Sequence, residues 1–174
     1  MNYNIINFAI IFLSFIKLIS AQESKPDLSI FENLINKEWK ANGTWGDGTM
    51  FKQETIFKFE LNQTIVIAKS KGFTDKKQTK YGLRNHGIRK FDQETNTIKF
   101  WEFDIFGGVT EGTVIPDGKN ILYQYHYGNS LVTDMWEYVD NNTYNFKVGN
   151  YLNGKWEQIY LETQFKAERS NSNK

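Results

Sequence analysis

From residue 39 onward the chain alternates apolar and polar residues in short runs, and a turn signal interrupts it about every ten residues. Thr55, Phe57, Phe59 and Leu61 oppose Ile56, Lys58 and Glu60; Tyr144, Phe146 and Val148 oppose Asn145 and Lys147; Ile159, Leu161 and Phe165 oppose Gln158, Glu162 and Gln164. A period of two gives a sheet one dry and one wet face. The interruptions are Asp47-Gly48, Asn62-Gln63, Thr74 to Lys80, Asp92 to Asn96, Gly107-Gly108, Pro116-Asp117-Gly118, Gly128-Asn129, Asp140 to Asn142 and Asn153-Gly154. Asp-Gly and Asn-Gly pairs take the positive φ angles that tight hairpins demand. These breaks predict about ten strands in an antiparallel meander. No helical pattern beyond residue 40 could form a crossover, so parallel βαβ units are excluded.

Ahead of the strands, Ser29 and Glu32 have the spacing of a capping box, and Ile30, Phe31, Leu34 and Ile35 recur on one helical face. A short helix with one apolar side is expected there, packed as a plug on a barrel end. The predicted fold is all-β: an up-and-down antiparallel β-barrel of about ten strands with a short N-terminal helix, over residues 22–167, with 168–174 as a frayed tail.

Residues 1–21 have the order of a secretory signal peptide, with an apolar run from Ile5 to Ile16 followed by Ser20 and Ala21. The run is shorter than the roughly 20 residues a membrane span needs. The chain is therefore expected to be exported, to a periplasm or the cell exterior, with no span in the mature chain. Removing that segment leaves 20 basic and 20 acidic residues, and nothing in that balance draws in nucleic acid. Cysteine is absent, which excludes disulfides and thiol catalysis. Such a domain must be held by burial alone.

The stretch from Thr97 to Tyr138 breaks the simple alternation, because both of its faces are aromatic. Ile98, Phe100, Glu102, Asp104 and Phe106 share one face, and Trp101, Phe103 and Ile105 the other; Tyr123 and Tyr125 oppose Gln124 and His126; Val132, Asp134, Trp136 and Tyr138 oppose Thr133, Met135 and Glu137. One face of such a wall lines a cavity and the other is covered, by the helix or by a second subunit in a homodimer. Arg84 and His86 share a parity, so inward-facing strands would gather Arg84, His86, Glu102, Asp104 and His126 in the interior. Buried charges need partners, and Arg84 would be the natural anchor for a carboxylate because its planar fork binds both oxygens. Phe100, Tyr125, Trp136 and Phe146 would hold the apolar body of a ligand.

The same residues allow an enzyme, in which His86 or His126, oriented by Glu102 or Asp134, performs acid–base chemistry of isomerase or hydratase type. No spacing identifies a nucleophile or an oxyanion hole, and catalysis is the less favoured reading. No metal is expected from two histidines in different strands, and no cofactor is assigned.

Asn42-Gly43-Thr44-Trp45, just after the short helix and at the head of the first strand, resembles the G-x-W signature of lipocalins. Thr133-Asp134-Met135-Trp136-Glu137-Tyr138 is similar to their T-D-Y-x-x-Y signature, with Met135 in place of the first Tyr. Lys166 and Arg169 lie where that family often sets an Arg over its Trp. Ten strands look more like the fatty-acid-binding and nitrobindin relatives in the same calycin group, and the whole pattern resembles lipocalin-like domains exported by bacteria. The resemblance implies a barrel with an internal cavity for a small ligand. A barrel filled by side chains and serving as a structural or interaction module is the remaining alternative.

Overall fold

Each of the predicted breaks separates two strands in the structure, a computed structural model that describes residues 27–168. The strands are β1 (Glu38–Thr44), β2 (Met50–Glu60), β3 (Ile65–Phe73), β4 (Tyr81–Asp92), β5 (Thr97–Asp104), β6 (Val109–Asp117), β7 (Asn120–Tyr127), β8 (Ser130–Asp140), β9 (Thr143–Leu152) and β10 (Lys155–Glu168). Every strand pairs antiparallel with its sequence neighbours, and β1 pairs with β10, so the sheet closes without an edge. The all-β barrel read from the pattern is the observed fold. Residues 1–26, with the signal-peptide segment, and 169–174 lie outside the described residues, while Glu168, expected in the frayed tail, ends β10 opposite Glu38.

Turn chemistry sets the strand ends. Gly48, Gly118 and Gly154 have positive φ, as do Asn62, Asn96 and Asn153, in the left-handed region that glycine and asparagine tolerate best. Leu61 also has a positive φ, of 49°, and it is exposed. It belongs to the turn after β2 rather than to the dry face expected of it. Ile159 departs from its predicted face too: register shifts between Trp156 and Gln158 and between Ile159 and Leu161 bulge β10 and leave Ile159 outside.

The helix is a 3-10 segment, Ser29–Leu34, that buries Phe31 and Leu34. The expected capping box is not formed. Ser29 lies inside the helix rather than at its cap, and its backbone N–H and hydroxyl both donate to Asp27 Oδ1, at 3.2 and 2.6 Å. The plug role does hold, since Phe31 and Leu34 join the barrel core beside fully buried Trp39, whose indole N–H donates to the Leu34 carbonyl at 3.0 Å.

The core fills the helix end of the barrel. Trp136 is its hub: it stacks on Phe165 at 4.2 Å and meets Phe57, Tyr144, Phe146 and Trp39 edge-on at 5.5–6.2 Å. Edge-to-face packing of this kind adds to the area each ring removes from water. Truncating Trp39, which ties helix, β1 and hub together, leaves a large void and an orphaned Leu34 carbonyl. Trp39→Ala is expected to cost about 3–5 kcal/mol in urea unfolding; a loss under about 1 kcal/mol would show that the plug does not anchor the barrel.

Candidate functional site

The opposite end of the interior is open. A cavity of about 250 Å³ lies above the Trp136 hub and reaches the rim where Trp45 and Arg84 stand. Inward parity is fixed by burial: Val66, Ala68 and Ser70 on β3, Gly87 and Arg89 on β4, Ile98 and Phe100 on β5, and Ile121 and Tyr123 on β7.

Arg89 organises this space. It faces Phe100 across the ladder, and Gly87, two residues away, faces Glu102. With no side chain at 87, the guanidinium leans over the backbone and its Nη2 donates to Glu102 Oε1 as an ion pair. Its Nε donates to the Tyr123 hydroxyl at 3.1 Å, and its plane lies 5.7 Å from the Phe57 ring centre and 5.1 Å from that of Tyr123. Burial works against the charge of Arg89, but Tyr123 and Glu102 outweigh it and hold its pKa above the ordinary arginine value. A buried pair of this kind persists only when nearly every polar atom is satisfied. Two are not: Arg89 Nη1 and Glu102 Oε2 are buried without a protein partner.

A second polar pair stands beside the first. The Tyr125 hydroxyl donates to Asp134 Oδ1 at 3.0 Å. Burial raises the Asp134 pKa to about 7; the Tyr125 hydrogen bond opposes the rise and the charge of Glu102 adds to it. Burial, then the charge of Asp134, push the Tyr125 phenol far above its usual range, so it keeps its proton. Across the cavity, Gln53 donates to Thr55, and Thr55 and Ser70 share a hydrogen bond of 2.9 Å.

Of the residues singled out from sequence, Arg84, Phe100, Glu102, Tyr125, Asp134, Trp136 and Phe146 line the cavity. Asp104, His86 and His126 do not. Asp104 has the parity of Glu102 but sits at the strand end, where its Oδ1 accepts from the backbone N–H groups of Phe106 and Gly108 at 2.8 and 2.7 Å. It caps a turn. His86 pairs with Lys69 and Phe103 on the outer face, and His126 pairs with Leu131, opposite in parity to inward Tyr123 and Tyr125. The shared parity of Arg84 and His86 is broken by a bulge: Ser70 faces Asn85 and Lys71 faces Leu83, so Arg84 is the extra residue, and Arg84 and Asn85 both line the cavity. A histidine–carboxylate pair is therefore not assembled in the interior.

Arg89, Tyr123, Asn85, Thr55 and Ser70 also line the cavity and were not singled out from sequence. The one signal for Arg89 is Gly87, a glycine inside a strand, which marks a place where something approaches the backbone closely. Among the described residues no three His, Asp or Glu side chains gather to hold a metal, and no helix is long and apolar enough to cross a membrane.

Fold and site together define a closed ten-stranded antiparallel barrel whose cavity has an aromatic floor and a charged, hydrogen-bonded wall. No protein-family model matches the chain, and no curated protein matches it.

Two outcomes follow from this geometry. A methyl group at position 87 would strike Arg89 Nη1 and the Glu102 carboxylate. Gly87→Ala is expected to cost about 1–3 kcal/mol in urea unfolding, and an unchanged midpoint would mean that the pair does not need this gap. The folded protein also holds a proton on Asp134 up to about pH 7 that the unfolded chain releases near its ordinary value of 3.8. The stabilisation from this group is fully present below the unfolded value and is lost as pH rises through about 7. Asp134→Asn cannot titrate, so between about pH 5 and 8 its stability should fall less than that of the parent; parallel profiles would remove Asp134 as the source.

Proposed function

We propose that the protein is an exported, lipocalin-like carrier that holds a small amphipathic or acidic ligand in the barrel cavity. The observation that carries this reading is an open cavity whose wall sets the buried Arg89–Glu102 pair and Asp134 above an aromatic floor. A filled structural barrel would leave no such cavity. The cavity volume lies just below the roughly 300–1,000 Å³ of sites for drug-sized molecules, so the ligand is small. Its apolar body meets the aromatic floor. An acidic group, where the ligand has one, meets Arg84 at the rim, which among the described residues has no carboxylate within ion-pair distance. Export rests on residues 1–21, and the lipocalin likeness on the two signatures together with the closed barrel.

One observation favours a second role for the outer wall. Leu83, Phe103 and Val109 are 59, 45 and 58% exposed on neighbouring strands β4, β5 and β6, an apolar patch of the kind that marks an interface, here in a homodimer. Acid–base catalysis has less support, since both histidines lie outside the cavity.

Native mass spectrometry of the protein purified from its own host separates these readings. A stoichiometric bound mass released on denaturation is the expected result, and a bare monomer would overturn the carrier reading; a dimer mass would assign the outer patch. Arg84→Ala should weaken an acidic ligand by roughly tenfold, the usual worth of a charge-assisted hydrogen bond, without lowering the thermal midpoint. Unchanged affinity would take Arg84 out of the site.

A further inference from the structure

We infer that the ligand body is a polyhydroxylated ring of monosaccharide size, a sugar acid where it carries the acidic group that meets Arg84. The inference rests on the carrier reading and specifies its ligand. What carries it is the placing of the polar side chains that keep accessible surface on the cavity wall. They are Gln53 on β2, Asn85 on β4, Thr110 on β6 and Asp134 on β8, each half-buried. In the closed order of the sheet these are alternate strands, so amide, hydroxyl and carboxyl groups converge on the space from more than half of its circumference. Thr55 and Ser70 are engaged with each other and Arg89 with Glu102, so the four accessible groups set the chemistry. Beneath them the floor is aromatic, with Trp136, Phe146 and Phe51 among its rings and Phe51 stacked on Phe146 at 6.2 Å.

Any ligand that enters displaces water from these groups, and it loses affinity where it cannot replace the hydrogen bonds. An alkyl chain or a bare ring replaces none, and strips four polar side chains of water without return. A hydroxyl both donates and accepts, so it answers an amide, another hydroxyl or a carboxyl equally well. It also answers Asp134 in both of its forms: protonated, as burial favours, the carboxyl can donate one hydrogen bond, and ionised it only accepts. Groups set round a circumference over an aromatic floor call for hydroxyls on the perimeter of a ring whose face is apolar. A pyranose has this shape, with hydroxyls pointing outward and a C–H face that lies against the rings. Arg84 adjoins Asn85 at the rim, where its planar fork suits a carboxylate on the same ring. A cavity of about 250 Å³ suits one such ring rather than a chain of them.

Glucuronate, galacturonate and cyclohexanecarboxylate share a six-membered ring and a carboxylate and differ in the hydroxyls, so they test this on the unaltered protein. Calorimetry reads the affinities, and the fluorescence of Trp45 and Trp136, which line the cavity, reports occupancy. At least one of the two uronates is expected to bind roughly tenfold or more tightly than the bare ring, the worth of one or two hydrogen bonds. Asn85→Leu removes an amide at nearly constant volume and should shrink that margin by roughly threefold or more. The thermal midpoint shows whether the variant is folded, and an unchanged margin in the folded variant overturns the inference; if it does not fold, the series on the parent still decides. Equal affinities, or tighter binding of cyclohexanecarboxylate, overturn the inference and leave the carrier reading standing. No binding by any of the three overturns the inference, and together with a bare native mass it overturns the carrier reading as well.

Discussion

Closure of the sheet by β1 and β10 is the constraint on which the rest of the molecule depends. Among the described residues three ladder pairs make that seam, Glu38 with Glu168, Trp39 with Ala167 and Lys40 with Lys166, and beyond them the Thr163 hydroxyl donates to the Asn42 carbonyl at 2.5 Å and the Gly46 N–H to the Tyr160 carbonyl at 2.7 Å. Its exposed ion pairs, Lys40 with Glu168 and with Glu38, are of the kind that contributes little. What holds the seam is the backbone ladder together with Trp39, buried beneath it and bonded to the helix. In a chain without cysteine, the seam and the plug do the work that cross-links do in disulfide-bonded domains.

Closing ten strands creates more interior than one layer of side chains fills, and the protein divides that space in two. Around Trp136 large rings pack edge to face, with Phe165 stacked on it. Toward the rim short or polar side chains, Ser70, Asn85 and Thr110, line the space alongside Trp45 and Phe51. The cavity exists because these side chains are small, and its wall is polar because Arg89 and Glu102 reach into it. Gly87 sets that wall, since the space its missing Cβ leaves is filled by the guanidinium and its carboxylate.

Strand number, turn positions and the dry faces of β2 and β9 were legible because each depends on local chemistry, an alternation of period two ended by Gly, Asn or Asp. The site was legible only in part. Phe100, Glu102, Tyr125, Asp134, Trp136 and Phe146 lie on regular strands where parity carries through, and they do meet in the cavity. Parity failed where the backbone inserts a residue. At Arg84 the bulge turns two consecutive side chains inward and sends His86 outward, and nothing in the letters of β4 announces it. Arg89 was hidden for another reason: an arginine between Ile88 and Lys90 reads as part of a wet face, and only its partners across the barrel, Glu102 and Tyr123, explain why it is inside. The capping box misled in the same way, because Asp27 competes for the hydrogen bonds of Ser29.

Asp134 is the group on which binding and catalysis would be hardest to tell apart, since a carboxyl titrating near neutrality is what general acid–base chemistry uses. The cause of the shift separates them. It comes first from burial, with the charge of Glu102 adding to it, and the one hydrogen bond to Asp134 comes from a tyrosine that keeps its own proton. A catalytic relay needs a neighbour that can pass the proton on, and the two histidines that could have done so face outward. What remains is a wall group that changes character with pH: protonated, it can donate one hydrogen bond into the cavity while accepting from Tyr125; ionised, it can only accept. In the carrier proposed above, that behaviour would grade how well a ligand is held, and it requires no bond to be made or broken.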